Sequence, residues 1–311
     1  MDIALYTQLN ASFGRTCTFK LGRSAGFFSE YNNMILAMAY CLIHRIRFQI
    51  TSENTDFNVQ KGWAGFFVPF CEEVEDDGLH YVTENWRAAL KNIILHRHYD
   101  AVLSLLPYLW PWKNEMRTQD VFGKCRDRKL ANRIYEIPSI GFRGSLQQLC
   151  AQLVNITWRY NEETQKRIDE LVAPLNLPKE YVAIHVRRGD KATEIQHTPI
   201  QAYMEKLGGK YHNLFVASDD YSVVEEVRKL YPDQQVWTLC TPAERGYDQA
   251  KADAESPEEK EKNRIVLFAT MEVLNRATKF VGTYSSNMGM FMGMRNPKIC
   301  QGVDFDHWVI W

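Results

Sequence analysis

The sequence predicts an α/β fold in two domains, the second of them Rossmann-like. Three observations carry this expectation. Short apolar, β-branched runs beginning at Tyr181, His212, Gln234 and Lys279 alternate with amphipathic helical patterns. Each run breaks at its end into polar and charged residues rather than into another apolar stretch. The chain, at 311 residues, is also longer than one ordinary core organises. Strands alternating with helices of this length join through right-handed crossovers into a parallel sheet, so their ends gather along one edge.

Taken in order, Thr18–Ser29 reads as a loop holding Gly22 and Gly26. It feeds a helix over Glu30–Ile46, where Met34, Ile35, Met38, Ala39, Leu42 and Ile43 recur at helical spacing. Arg47–Thr51 follows as a strand, which completes half of a Rossmann-like unit. The N–H groups at the start of that helix suit an anion near Gly26, and a plain turn explains the same glycines. From Gly62 to Trp112 the chain is aromatic, with Trp63, Phe66, Phe67, Phe70, Trp86, Tyr108, Trp110 and Trp112. Such rings stack on sugars or fill a core, and the core reading accounts for most of them. Two helices are expected between Gly144 and Asn176, closed by Pro174 and Pro178. The expected organisation is a first α/β domain over 1–145, a helical bridge over 146–178 and a Rossmann-like domain over 179–311.

In that last domain Tyr181–Val186 is the first buried strand and His212–Ser218 the second, with a helix over Tyr221–Tyr231 behind it. Gln234–Leu239 is the third strand. Thr241–Lys260, rich in Glu, Lys and Ala, reads as a charged, poorly ordered loop. A helix over Asn263–Asn275 then leads to the fourth strand, Lys279–Thr283.

A net charge of −1 gives no general attraction to nucleic acid or anionic lipid, so any phosphate must be held locally. The seven cysteines contain no C-x-x-C pair and read as reduced thiols. The first ten residues lack a basic segment followed by a long apolar core, and Met34–Ile43 is too short to span a bilayer. The expectation is a soluble, cytoplasmic chain with no membrane segment and no nucleic-acid partner.

Chemistry concentrates at the predicted strand ends. The Tyr181 strand empties into Arg187-Arg188-Gly189-Asp190-Lys191 and then Glu194. The next strand ends at Asp219-Asp220, and the last at Ser285-Ser286. Arginine clasps phosphate oxygens with paired hydrogen bonds, and serine hydroxyls before a helix suit the same anion. Charge growing on a departing diphosphate needs such cations. Magnesium would take one or two carboxylates, but no His or Cys cluster backs Asp219-Asp220. Asp220 doubles as a helix N-cap. No metal and no cofactor are expected.

His185-Val-Arg-Arg-Gly-Asp-Lys-Ala-Thr-Glu194, with His197–Met204 behind it, resembles the main motif of the α1,6-fucosyltransferases, the family of the core N-glycan and rhizobial nodulation-factor enzymes. The likeness continues through Phe215-Val-Ala-Ser-Asp-Asp220 and Val281-Gly-Thr-Tyr-Ser-Ser286, and more loosely through Ser24–Asn33. The Arg-Arg-Gly-Asp spelling also occurs in α1,2-fucosyltransferases. The resemblance implies a GT-B-like architecture, two Rossmann-like domains with the donor site at the strand ends of the C-terminal one and the acceptor on the N-terminal side. It implies an inverting, metal-independent transferase moving L-fucose from GDP-fucose to a glycan hydroxyl.

Carried over by position, the resemblance makes Glu194 the base, with Lys191 beside the reacting groups and Arg187 the phosphate clamp. His185 would contact the nucleoside. Arg188, Asp190, Ser285, Ser286 and Gly26 fall on the donor side, and Asp219 and Asp220 on the acceptor side. One departure concerns the base of the donor. The family reads guanine with an aspartate on the helix before the last strand, and that position falls at Thr270. Either guanine is read otherwise, with help from Glu272, or the donor is another sugar nucleotide such as UDP-xylose. A non-catalytic sugar-nucleotide or glycan-binding protein is the third reading, and Lys191 with Glu194 beside the arginines speaks for the enzyme.

Overall fold

The first strand lies where the sequence predicts the start of a loop. In the computed structural model, which describes residues 1–22, 26–52, 62–78, 80, 86–96, 102, 113–189, 198–209, 211–247, 252 and 254–310, β1 runs Arg15–Lys20. Its polar spelling hides it, yet Cys17 and Phe19 are fully buried and Thr18 nearly so. Two compact units make up the chain, Met1–Asn161 with Ile310–Trp311, and Glu162–Val309.

In the first unit β1 pairs in parallel with β2 (Ile46–Thr51) and β3 (Glu115–Arg117), giving the order β2-β1-β3. Helix α1 (Ile3–Ala11) closes the outer edge of β2 with one buried amide. Asn10 Nδ2 donates to the Phe48 carbonyl at 2.8 Å and its Oδ1 accepts from Phe48 N at 2.7 Å, which stands in for a neighbouring strand. Helix α2 (Phe27–Ile43) is buried along nearly its whole length. It packs on α4 (Thr118–Cys125) and α5 (Leu146–Thr157), while α3 (Trp86–His96) lies earlier in the chain. A short antiparallel hairpin, β4 (Ile134–Ile137) and β5 (Phe142–Ser145), precedes α5.

Four aromatic residues of the 62–112 stretch belong to the core. Trp63, Phe66, Phe67 and Phe70 are buried, and the Trp63 and Phe67 rings stack at 4.5 Å. Trp158 meets Tyr31 edge-on at 5.0 Å. Tyr108, Trp110 and Trp112 lie outside the described residues.

A charged network sits where β3 ends. Asp76 accepts two hydrogen bonds from Arg117, at 3.0 and 3.1 Å, and one from Gly78 N at 2.7 Å. The Arg117 guanidinium holds the Asp76 carboxyl down at about 2. His80, whose side chain is 1% exposed, lies 3.4 Å from Asp76 and 2.8 Å from the Thr118 hydroxyl. Burial disfavours the imidazolium and pulls His80 from 6.5 down to about 4. Unfolding lets His80 recover its ordinary basicity, so the unfolded chain binds the extra proton between these values. Stability is therefore full above pH 6.5 and lost as pH falls toward 4. Denaturation midpoints should register a loss of about 1–3 kcal/mol across that window, and His80→Asn should flatten the slope.

In the second unit, α6 (Glu162–Val172) leads to β6 (Val182–Val186), a strand buried at every position. Then come α7 (Ile200–Leu207), β7 (Asn213–Ser218), α8 (Tyr221–Leu230) and β8 (Gln235–Trp237). Last come α9 (Pro257–Arg276), β9 (Lys279–Gly282), α10 (Asn287–Arg295) and β10 (Cys300–Gly302). The five strands are parallel in the order β10-β9-β6-β7-β8, the Rossmann order when counted from β6. Val182, Ile184, Val186, Leu214 and Val216 form the core with Val223 and Val227 of α8.

Two expectations about this unit are corrected. The sheet has a fifth strand, β10, too short at three residues to register as a pattern. Two parts of the stretch 241–260 are not an open loop, because α9 begins at Pro257 with Ser256 and Glu259 capping each other, and 241–247 is anchored as described below, while 248–251 and 253 lie outside the described residues. Of the two helices predicted as a bridge, α5 lies in the first unit and α6 in the second. Among the described residues no helix is long and apolar enough to cross a membrane.

Candidate active site

In a sheet of this order the chain runs outward from β6 to β7 and β8 on one side and then crosses back to β9 and β10 on the other. The crevice beyond the carboxyl ends of β6 and β9 is where such sheets receive ligands. Arg187 and Arg188 follow β6 there, and Thr283–Ser286 follow β9.

The β6 side is organised by Asp219, at the end of β7. Its Oδ1 accepts from Arg188 N at 2.8 Å, and its Oδ2 accepts from Gly189 N at 3.0 Å and Tyr247 N at 3.3 Å. Hydrogen bonds to a charged acceptor contribute about 1.5–3 kcal/mol each, well above an exposed ion pair. Asp219 thus fixes the course of the arginine loop, and Arg187 Nε stands 4.0 Å from the same carboxylate. Gly189 is required here by space, since a Cβ would lie 2.5 Å from both the backbone N and O of Tyr247.

The two arginines part company. Arg188 reaches back into the protein, with Nη1 donating to the Thr198 carbonyl at 3.2 Å and Nη2 3.7 Å from Glu226. Arg187 keeps a quarter of its side chain exposed and lies over the Tyr247 ring, 5.4 Å from its centroid. Asp220 caps α8, its carboxylate accepting from Ser222 N at 2.8 Å.

On the β9 side, Ser286 caps α10. Its hydroxyl accepts from Gly289 N at 3.0 Å and donates to the Thr283 carbonyl at 2.8 Å. A Cβ at Gly289 would strike that carbonyl, so glycine lets the helix start close against the strand end. Asp304, just past β10, accepts from Tyr284 N at 2.8 Å and Ser285 N at 2.9 Å. Ser285 and Ser286 are both buried. The outcome is a hydrogen-bonded strand-to-helix corner at the end of β9, the strand next to the one that carries the arginine loop.

His185 is buried on β6, with its Cβ 3.8 Å from where Gly282 would carry one. Thr270 turns its hydroxyl onto its own helix, donating to the Val266 carbonyl at 2.8 Å. Glu272, the carboxylate considered as a substitute reader of guanine, is gripped by Arg295 Nη2 at 2.7 and 2.8 Å, both side chains largely buried. Gly26 is the N-cap residue of α2 in the first unit. Asp190, Lys191 and Glu194 lie outside the described residues. Among the described residues no group of three or more His, Cys, Asp or Glu is placed to hold a metal ion.

Sequence reading missed Asp304, Gly246 and Tyr247. Asp304 follows a strand end as Asp219 does, so recognising β10 would have found it. Gly246-Tyr247 offered only a glycine before an aromatic residue inside a charged stretch.

Residues 140–285 match the family model of the α-(1,6)-fucosyltransferase N- and catalytic domains, a span that contains β6, β7, α9, β9 and the arginine loop. This segment is similar to the catalytic part of the α-(1,6)-fucosyltransferases. A curated relative, the α-(1,6)-fucosyltransferase of Caenorhabditis elegans, is 32% identical over 98 residues, which covers 27% of this chain and 18% of the relative. The chain therefore spans under a fifth of that relative's length in the alignment. Among solved structures, the NodZ α-1,6-fucosyltransferase soaked with GDP-fucose superposes with a TM-score of 0.54 at 15% identity, over 94% of this chain and 95% of its own. NodZ from Bradyrhizobium gives 0.54 at 14% identity, covering 93% and 94%. An Arabidopsis thaliana FUT1 variant in complex with GDP gives 0.52 at 11% identity, covering 93% and 69%. At these identities the likeness speaks to the fold, and it agrees with the two-unit α/β, GT-B-like architecture of the fucosyltransferases.

Proposed function

We propose that the chain is an inverting, metal-independent fucosyltransferase that moves L-fucose from GDP-fucose to a hydroxyl of a glycan acceptor. The observation that carries this is the β6–β9 crevice, where a partly exposed arginine follows one strand and a serine-bearing helix start follows its neighbour, with β6, the arginine loop and β9 inside the segment that matches the fucosyltransferase family model. In this reading Arg187 binds the diphosphate, Ser285, Ser286 and the first turn of α10 lie along it, and His185 flanks the nucleoside. The second unit is the donor domain and the first the acceptor domain. Glu194 takes the proton of the acceptor hydroxyl as its oxygen attacks the anomeric carbon. The bond to the diphosphate breaks with its electron pair leaving on GDP, and Lys191 and Arg187 offset that charge. A single displacement inverts the anomeric centre. Protein cations take the place of a metal, which is consistent with both Asp219 oxygens accepting backbone N–H groups.

The commitment of Glu272 to Arg295 favours keeping a second donor in view, a UDP-sugar such as UDP-xylose. Calorimetric titration with GDP, UDP and their sugar conjugates, with transfer assayed in chelator, separates these. Selective GDP binding and chelator-resistant transfer are expected. Selective UDP binding replaces the donor, and binding of neither nucleotide removes the enzyme reading.

A further inference from the structure

We propose that Tyr247 is a positioning residue for the donor diphosphate, its ring serving as the back plate against which the Arg187 guanidinium is held flat. The inference rests on the reading of Arg187 as the diphosphate contact and extends it to a segment that no motif assigns.

The segment 241–247 is built as a strap. Thr241 N donates to Glu244 Oε1 at 2.6 Å, which closes its first turn. Tyr221 N donates to the Glu244 carbonyl at 2.9 Å, and Asp220 and Arg245 form an antiparallel bridge. Gly246 N donates to the Asp219 carbonyl at 2.9 Å, and Tyr247 N to the Asp219 carboxylate at 3.3 Å. Gly246 has φ +97°, a conformation that bends the strap back over the arginine loop and that a side chain would strain. A Cβ on Gly246 would also stand 3.2 Å from Gly189 Cα, so two glycines meet where strap and loop cross. All of these contacts are backbone or carboxylate contacts, and none uses the Tyr247 ring. The ring is the part of the strap delivered to Arg187, whose Cζ lies 5.4 Å from its centroid.

The stack suits a phosphate ligand for a geometric reason. The five N–H donors of a guanidinium lie in its plane, whereas an aromatic ring engages its face. A cation beside a ring is held electrostatically, and that contact itself spends none of the guanidinium donors. Asp219, 4.0 Å from Nε, steadies the charge from the side at longer than hydrogen-bond range. A loop arginine held by a face and an edge loses less freedom when the diphosphate arrives.

The test is calorimetry with GDP on the full chain, together with donor KM and kcat, for Tyr247→Phe, Tyr247→Leu and Tyr247→Gln. Losing the ring should weaken GDP binding by about 3–30-fold and raise donor KM by the same factor, with kcat falling as well because Arg187 also meets the charge that grows in the transition state. Tyr247→Phe keeps the face and should rescue GDP affinity to within about twofold of wild type. In an Arg187→Lys background, where no plane remains to stack, Tyr247→Leu should add less than about twofold. Wild type that binds GDP with Tyr247→Leu and Tyr247→Gln unchanged would overturn the inference while leaving the functional reading intact. A loss as large in Tyr247→Phe as in Tyr247→Leu would overturn it too, by assigning the effect to the hydroxyl. Wild type that binds neither GDP nor UDP would instead bring down the reading of the site itself. Thermal midpoints of the variants accompany the titrations, and the Leu and Gln pair guards against one substitution that fails to fold.

Discussion

Glu194→Gln should lower kcat for sugar transfer by about 10²–10⁴-fold while GDP affinity stays within about twofold, the range general base catalysis supplies. A sugar hydroxyl is a poor nucleophile at neutral pH, and it becomes competent only as its proton leaves. The amide is close in shape to the carboxylate and cannot accept that proton, so the substitution removes the transition-state role and little else. Because GDP carries no acceptor hydroxyl, its binding does not report on the base, and the two measurements separate chemistry from recognition. Single-turnover transfer with saturating donor checks the first, and calorimetry the second. Undiminished transfer by Glu194→Gln would remove the base assignment, and with it the place of the Lys191–Glu194 stretch in the reaction.

Arg187→Ala should lose both functions, with GDP affinity falling by about 10²-fold or more, since two charge-assisted hydrogen bonds of about 1.5–3 kcal/mol each are at stake. Transfer should fall further, because negative charge on the diphosphate grows as the glycosidic bond breaks. The fold should stand, as Asp219 holds the loop through the N–H groups of Arg188 and Gly189, which alanine at 187 leaves in place. Arg188→Ala is the informative contrast. Its guanidinium serves Thr198 and Glu226, so its loss should appear first as a lowered thermal midpoint. Equal effects of the two substitutions on GDP affinity would mean that the arginines share the anion and that their separate assignments are wrong.

The second unit was the more legible in sequence. β6 and β7 are continuous apolar runs between helices of clear period, and a buried parallel strand has no other spelling. β1 was hidden because Arg15, Thr16, Thr18 and Lys20 give it a polar surface reading, although Cys17 and Phe19 anchor it. β10 was hidden because three residues carry no period. The carboxylates show a different limit. The cap role of Asp220 was legible from the helix pattern behind it, whereas the role of Asp219 as a hub for backbone N–H groups was not. Backbone donors have no letter in a sequence, so a carboxylate that serves them looks the same as one that serves chemistry. Tyr247 was lost for the same reason, because its place follows from Gly246, Gly189 and Asp219 meeting in space.

The strand order has a consequence for how the protein is made. β6 sits in the middle of its sheet, but one of its two neighbours arrives late. The hydroxyl of Thr278, leading into β9, bonds the Tyr181 carbonyl across 97 residues of chain. During synthesis β7 can pair early on one side, while the other side of a strand buried at every position waits through α8, β8 and α9 with its hydrogen-bonding edge bare. An exposed edge of this kind recruits other chains, and long-range parallel pairing is slow. A nascent chain stopped before β9 is therefore a candidate for capture by chaperones or for aggregation. The β6–β9 crevice therefore forms only after α8, β8 and α9 have been made and β9 has joined that edge.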